Sequence, residues 1–255
     1  MLTKNKIKEI LKEIGLVSND TIMIHSGLRA IGEIEGNAEG LIEVLQEYFY
    51  DGLIIFPTHT WAYMKEDNMV FDKNHMESCV GALSNVARNT KGFIRSMHPT
   101  HSVCAWGNDA KAYTDLDRYA TTPAGVNNCF GELKNRNAKI LFLGAPLSKN
   151  TFVHSIEEEF NVPDRFTSHI YHFISKDKEI TLEYDMPRHY STKSDHISDH
   201  YEKLLPRMLQ RGIAKEFLFG NAICHMVDAK GCYEYVSELL KDNIHIFDDF
   251  TEIKS

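Results

Sequence analysis

Residues 21–57 read TIMIHSGLRAIGEIEGNAEGLIEVLQEYFYDGLIIFP, and their apolar spacing changes twice along the stretch. The run at 21–25 has the length and composition of a strand. Asn37 is suited to cap a helix whose buried stripe is Leu41, Ile42, Leu45, Tyr48 and Phe49, a period near 3.6. Residues 52–57 are then continuously apolar, as in a strand covered on both faces. Strand, helix and strand within 37 residues make a βαβ unit, which commits the chain to a parallel pair with a helical crossover.

The same alternation continues on both sides. Upstream, Ile7, Ile10, Leu11 and Ile14 form one helical stripe that stops at Gly15. Downstream, Val80, Leu83 and Ala87 mark a helix at 78–89, and strands are expected at 102–106 and 139–144. The second of these runs through Ala145 and Pro146 into a helix starting near Asn150 or Thr151. Beyond Pro163 the pattern changes. Residues 169–175 and 179–185 read as a hairpin turning at Lys176-Asp177-Lys178. Tyr201, Leu204, Leu205, Met208 and Leu209 have helical spacing, but Pro206 should kink or split that helix. Residues 217–227 read as a strand interrupted by Gly220, and Cys232, Tyr235, Val236, Leu239 and Leu240 mark a closing helix. The expected architecture is α/β: one domain over 1–255, a mixed sheet with flanking helices and an antiparallel, hairpin-containing C-terminal part.

Composition narrows the class. With 43% hydrophobic and 25% charged residues, neither a disordered nor a fibrous chain fits. No apolar run approaches the ~20 residues of a spanning helix. The first fifteen residues read as an amphipathic helix rather than a signal peptide, so a cytoplasmic location is expected. Cys79, Cys104, Cys129, Cys224 and Cys232 contain no Cys-x-x-Cys pair and are expected to be free thiols. A net charge of -8 disfavours nucleic acid and favours cationic small molecules; no membrane partner is expected, and the oligomeric state is open.

Ligands of α/β sheets gather at the carboxyl ends of strands, so polar clusters there are the candidates for chemistry. In NTFVHSIEEEF, residues 150–160, a helical spacing of three puts His154 and Glu157 on neighbouring turns, where the carboxylate can orient the imidazole and make its other nitrogen a better base. The alternative is a polar residue on a half-buried helix followed by a solvated acidic run. In RSMHPTHS, residues 95–102, the side chains can brace a loop around Pro99, or His98 and His101 can join His25 and His59 as ligands of a zinc-dependent hydrolase. In HSGLRAIGEIEG, residues 25–36, small residues and Arg29 allow close approach to phosphates or amides, but neither a dinucleotide fingerprint nor a Walker lysine is present. Ser26 and Ser102 lack the Gly-x-Ser-x-Gly context of a nucleophile.

Taken in order, HSGLRAIG, FPTHT, Phe71-Asp72, GALSNVARNTKGFIRSMHPTHSVCAWG, Thr122-Pro123 before Asn127-Asn128, KILFLGAPLSKNTFVHSIEE and VPDRF resemble the aminoglycoside 3-N-acetyltransferase family. The resemblance runs from Thr21 to Phe166, with a fainter match at Gly220-Asn221-Ala222 and the last helix. It departs at Gly27, where the family usually has alanine or a small hydroxyl residue. It implies transfer of an acetyl group from acetyl-CoA to an amino sugar without a metal, with His154 as base, Glu157 orienting it and Thr151 as oxyanion donor. It further implies that Ser26, Leu28, Arg29, Ile31, Gly32, Thr58, Ser102 and Val103 contact CoA. Carboxylates near the matched motifs, Asp67, Asp72, Glu158 and Glu159, are candidates for a cationic acceptor. Residues 1–160 would then carry the CoA and catalytic motifs and 161–255 contribute to acceptor binding.

Overall fold

The computed structural model describes residues 1–253. Among the described residues ten strands run in chain order: β1 (Thr21–Ser26), β2 (Leu53–Pro57), β3 (Val70–Asp72), β4 (Ile94–Arg95), β5 (Val103–Gly107), β6 (Lys139–Leu143), β7 (Tyr171–Lys176), β8 (Thr181–Met186), β9 (Ala214–Phe219) and β10 (Ala222–Asp228). The helices are α1 (Lys4–Glu13), α2 (Leu28–Ile31), α3 (Asn37–Tyr48), α4 (Ala82–Asn89), α5 (Ala110–Asp115), α6 (Cys129–Glu132), α7 (Thr151–Glu159), α8 (Leu205–Gln210) and α9 (Ala229–Asp242).

Seven strands form a mixed sheet in the order β4-β5-β2-β1-β6-β10-β9. β1 pairs in parallel with β2 and β6, and the outer strands join antiparallel. Alternate residues of the central strands feed opposite layers. Met23, Ile55, Ile140 and Phe142 enter one core with residues of α7 and α9. Ile22, Ile24, Ile54, Phe56, Leu141 and Leu143 enter the other with residues of α1 and α3. This two-sided burial is the reason the strands are apolar throughout. A second sheet, β3-β7-β8, packs on its own cluster, including Phe71, Phe173 and Met186.

The expected α/β architecture is present, with local differences. Residues 217–227 are not one interrupted strand: the chain reverses at Gly220 and Asn221, so β9 and β10 form a hairpin. Gly220 has φ +62°, the left-handed conformation that such a tight turn requires. The helix at 198–210 is split as Pro206 demands, into a 3-10 segment Ile197–Leu204 and α8, which carries Pro206 in its first turn. Asn37 does not cap α3 with its side chain; Gly36 is the entry residue and Asn37 itself has φ +57°. The helix expected from 78 begins at Ala82. All five cysteines are unpaired. Among the described residues no helix is long and apolar enough to cross a membrane.

What matters for the site is the centre of the large sheet. From β1 the chain moves to β2 on one side, while β6 lies on the other, so a crevice opens where their carboxyl ends diverge. The loops after β1 and β6 touch there: the Gly27 amide donates to Leu143 O at 2.8 Å. A Cβ on Gly27 would fall 2.3 Å from the Gly144 carbonyl oxygen. The departure at Gly27 therefore has a steric cause in this chain.

Candidate active site

A cavity of about 760 Å³ occupies that crevice. His25 and Ser26 come from the end of β1, His59 follows β2, and Thr100 and His101 precede β5. Ser148 and Lys149 come from the loop after β6, Thr151 and His154 from α7, and further wall comes from Trp61, from residues 79–81 with Ser84, from Pro123 and from a segment spanning 188–199. The expected clusters after strands thus converge, although 188–197 carried no sequence signal.

The helical spacing of α7 brings His154 and Glu157 together, with Nδ1 3.3 Å from Oε2. The better-formed contact of His154 is with Tyr201, whose Oη lies 2.7 Å from Nδ1 and also donates to Glu157 Oε2. The other carboxylate oxygen of Glu157 accepts from Arg165 Nε at 2.6 Å, and Arg165 Nη2 donates to Asp248 Oδ1 at 2.9 Å. Glu157 is only 1% exposed, which by itself would push its carboxyl up. The hydrogen bond and charge of His154, the Arg165 guanidinium and the Tyr201 hydroxyl reverse this and hold it below the usual value. Burial pushes the Tyr201 phenol well above its usual value, so the hydroxyl keeps its proton. The His154 ring also stacks on His189, at 4.3 Å between centroids and 28° between planes. His189 Nε2 is 2.8 Å from Glu158 Oε1, which also accepts from the Ala124 amide at 2.9 Å.

The four-histidine metal site considered from sequence is not assembled. His98 uses both ring nitrogens internally, Nε2 at 3.1 Å from Thr122 O and Nδ1 accepting from the His101 amide at 3.0 Å, so no lone pair is left for a metal. His25 lies flat against Phe142, and His101 Nδ1 is 2.9 Å from Thr100 Oγ1. Among the described residues no group of three or more His, Cys, Asp or Glu is arranged to hold a metal ion. Burial pushes His25 down to about 3 and also lowers His59, His98, His101 and His189, so these rings are neutral at pH 7.

Of the other candidates, Ser26 and Thr151 line the cavity. Leu28, Arg29 and Ile31 form α2, which Gly32 terminates; Arg29 is exposed and Ile31 is buried in the core. Thr58 and Ser102 are buried, 3.0 Å apart, and Arg95 Nε lies 3.2 Å from both hydroxyls. Val103 is buried in β5. Asp67 lies on an exposed loop. Asp72 accepts from the Asn74 and His75 amides at 2.9 and 3.0 Å, Glu158 is held by His189, and Glu159 pairs with Lys134. Sequence reasoning missed Tyr201 and His189 as neighbours of the imidazole, and gave Arg165 no role although VPDRF was noted. Tyr201 has the spacing of a core residue and is one, being fully buried. Only the fold shows that its hydroxyl faces α7.

The family model described as Aminoglycoside 3-N-acetyltransferase matches residues 23–241. Aminoglycoside N(3)-acetyltransferase VII of Streptomyces paromomycinus is 23% identical over 92% of this chain and 90% of its own length. The solved structure of AAC-IIIb with CoASH superposes with a TM-score of 0.81 at 21% identity, covering 94% of this chain and 96% of the other. The solved structure of AAC-VIa bound to sisomicin superposes with a TM-score of 0.75 at 21% identity, covering 94% and 97%. At these identities the two structures establish the shared fold.

Proposed function

The chain belongs to the aminoglycoside 3-N-acetyltransferase family, whose acyl donor is acetyl-CoA, and from that premise we propose that it acetylates an amine of an aminoglycoside or related amino sugar by direct transfer, with His154 as general base. The observation that carries this reading is the state of the His154 ring at the cavity wall: Nδ1 is engaged by Tyr201 and Glu157, which leaves Nε2 to accept a proton. An ammonium group has no lone pair, so the acceptor must lose a proton before or during attack on the thioester carbonyl. His154 takes the first proton, which frees the nitrogen lone pair; the new C–N bond then forms, the C–S bond breaks with its electron pair leaving on the CoA sulfur, and the second proton, lost by the acylated nitrogen, neutralises that thiolate. Glu157 orients the ring and stabilises the imidazolium. Thr151 and the first amides of α7 are the donors proposed for the carbonyl oxygen as negative charge develops on it, supported by the place of Thr151 at the wall.

Ser26, Leu28, Arg29, Ile31, Gly32, Thr58, Ser102 and Val103 remain the residues proposed for CoA. Ser26 reaches the cavity, while Thr58 and Ser102 support the end of β2 through Arg95. Asp67, Asp72 and Glu158 remain proposed for the acceptor. We treat 1–255 as one working unit, because β9 and β10 complete the sheet that contains β1 and β6.

The test is release of CoA thiol from acetyl-CoA against a panel of aminoglycosides and nucleotide-linked amino sugars. The expected result is turnover with the wild type and a loss of at least ~10²-fold in kcat for His154→Ala, with acetyl-CoA binding retained. A folded variant that turns over at the wild-type rate overturns the base assignment.

A further inference from the structure

We infer that the Tyr201 hydroxyl is a positioning group that links Glu157 to His154, forming a three-member relay in which tyrosine shares the imidazole Nδ1 with the carboxylate and makes the shorter hydrogen bond to it. The inference rests on the base reading above and extends it to a residue from a distant part of the chain.

The geometry distinguishes a relay from a simple pair. His154 Nδ1 approaches Tyr201 Oη at 2.7 Å, a full hydrogen bond, but Glu157 Oε2 only at 3.3 Å. One hydroxyl can donate once and accept as well. Tyr201 Oη donates to Glu157 Oε2, so its lone pairs are what it offers His154, and Nδ1 must carry the hydrogen. Nε2 is then the unprotonated nitrogen in the neutral ring. The opposite polarity, with tyrosine donating to Nδ1, would leave the buried carboxylate without that donor and put the hydrogen on Nε2, abolishing the base.

Three further features fix this polarity. Arg165 Nε holds the second oxygen of Glu157 at 2.6 Å, so the carboxylate cannot swing freely towards the ring. Burial keeps the phenol protonated, as the donating role requires. Phe247 packs edge-on against the Tyr201 ring at 5.1 Å, and the His154 ring does so at 5.2 Å, which restrains the ring that carries the hydroxyl. When His154 becomes an imidazolium, its Nδ1 hydrogen bond strengthens against a hydroxyl oxygen already polarised by Glu157.

Tyr201→Phe keeps the packed ring and removes only the oxygen. Two readouts separate the relay from a structural role. In nitrogen NMR of the histidine ring, the wild type is expected to show a single neutral tautomer of His154 with hydrogen on Nδ1, and Tyr201→Phe a mixture of both. This measurement needs no acceptor and therefore stands even if the base reading fails. In steady-state kinetics, Tyr201→Phe is expected to lower kcat by roughly ten-fold or more with KM for acetyl-CoA unchanged. Glu157→Gln and the double variant complete a cycle. If glutamate acts through tyrosine, the double variant is no slower than the slower single variant. Independent, multiplicative losses would overturn the relay, as would an unchanged tautomer in folded Tyr201→Phe. Retained activity in His154→Ala would instead overturn the base reading.

Discussion

At the scale of single residues, the least replaceable group beside the imidazole is Arg165. It is 3% exposed and joins Glu157 to Asp248. Removing it leaves a buried carboxylate without its cation, which typically costs about 3–5 kcal/mol, far more than loss of a surface pair. Arg165→Met should therefore lower stability by that order in urea unfolding at neutral pH; a loss below about 1 kcal/mol would show that Glu157 is neutralised some other way. The sign with pH follows from Glu157, whose folded value lies below its unfolded one. Its contribution is complete above the unfolded carboxylate range and disappears as pH falls through the folded value. His154 and Glu157 were legible in sequence, because a spacing of three within a helix is a local property. Tyr201 was not, since it is distant in sequence and its apolar ring satisfies the core pattern.

At the scale of elements, the strand, helix and strand of the βαβ unit at 21–57 emerged as read, apart from the Asn37 cap and the additional short helix α2, because each strand is buried on both faces and the helix has a regular stripe. The β9–β10 hairpin did not. Gly220 looks like a break in one long strand unless the turn at Gly220-Asn221 is recognised, and both arms are apolar enough to merge. The short strands β3 and β4 were invisible for a different reason: β3 has three residues and β4 two, and long-range pairing alone defines them. The hairpin turn has a measurable role. The Asn221 amide donates to Ile31 O at 2.9 Å, and a Cβ on Gly220 would lie 2.3 Å from that same oxygen. Gly220→Ala should cost about 1–3 kcal/mol through strain and close contact, read by thermal or urea unfolding. Because the displaced residue belongs to α2, KM for acetyl-CoA should rise as well. An unchanged melting temperature would show that the turn relaxes without disturbing α2.

At the scale of the molecule, burial of so many neutral imidazoles makes folding sensitive to acid. His25 is pushed down to about 3, and His59, His98, His101 and His189 are also lowered by burial. In the unfolded chain histidines take up protons near ~6.5, whereas these resist protonation while the protein is folded. Stability should therefore be largest above ~6.5 and fall as pH drops, by up to about 1.4 kcal/mol per pH unit for each histidine still neutral in the native state. Urea midpoints at about pH 7 and about pH 5 check this, and equal midpoints would contradict it. Composition gave no hint of it, since thirteen histidines reveal nothing of their depth until the strands are assembled.

The chain near residue 248 adds a last consequence. Phe247 abuts the Tyr201 ring, its carbonyl oxygen lies 2.6 Å from His200 Nδ1, and Asp248 grips Arg165. A protease nick or an inserted peptide just before this stretch would spare every strand and every cavity-lining side chain, yet slacken the scaffolding behind the imidazole. Drift in catalytic rate without drift in circular dichroism would be the laboratory symptom, and any fusion made there would need an activity check rather than a folding check.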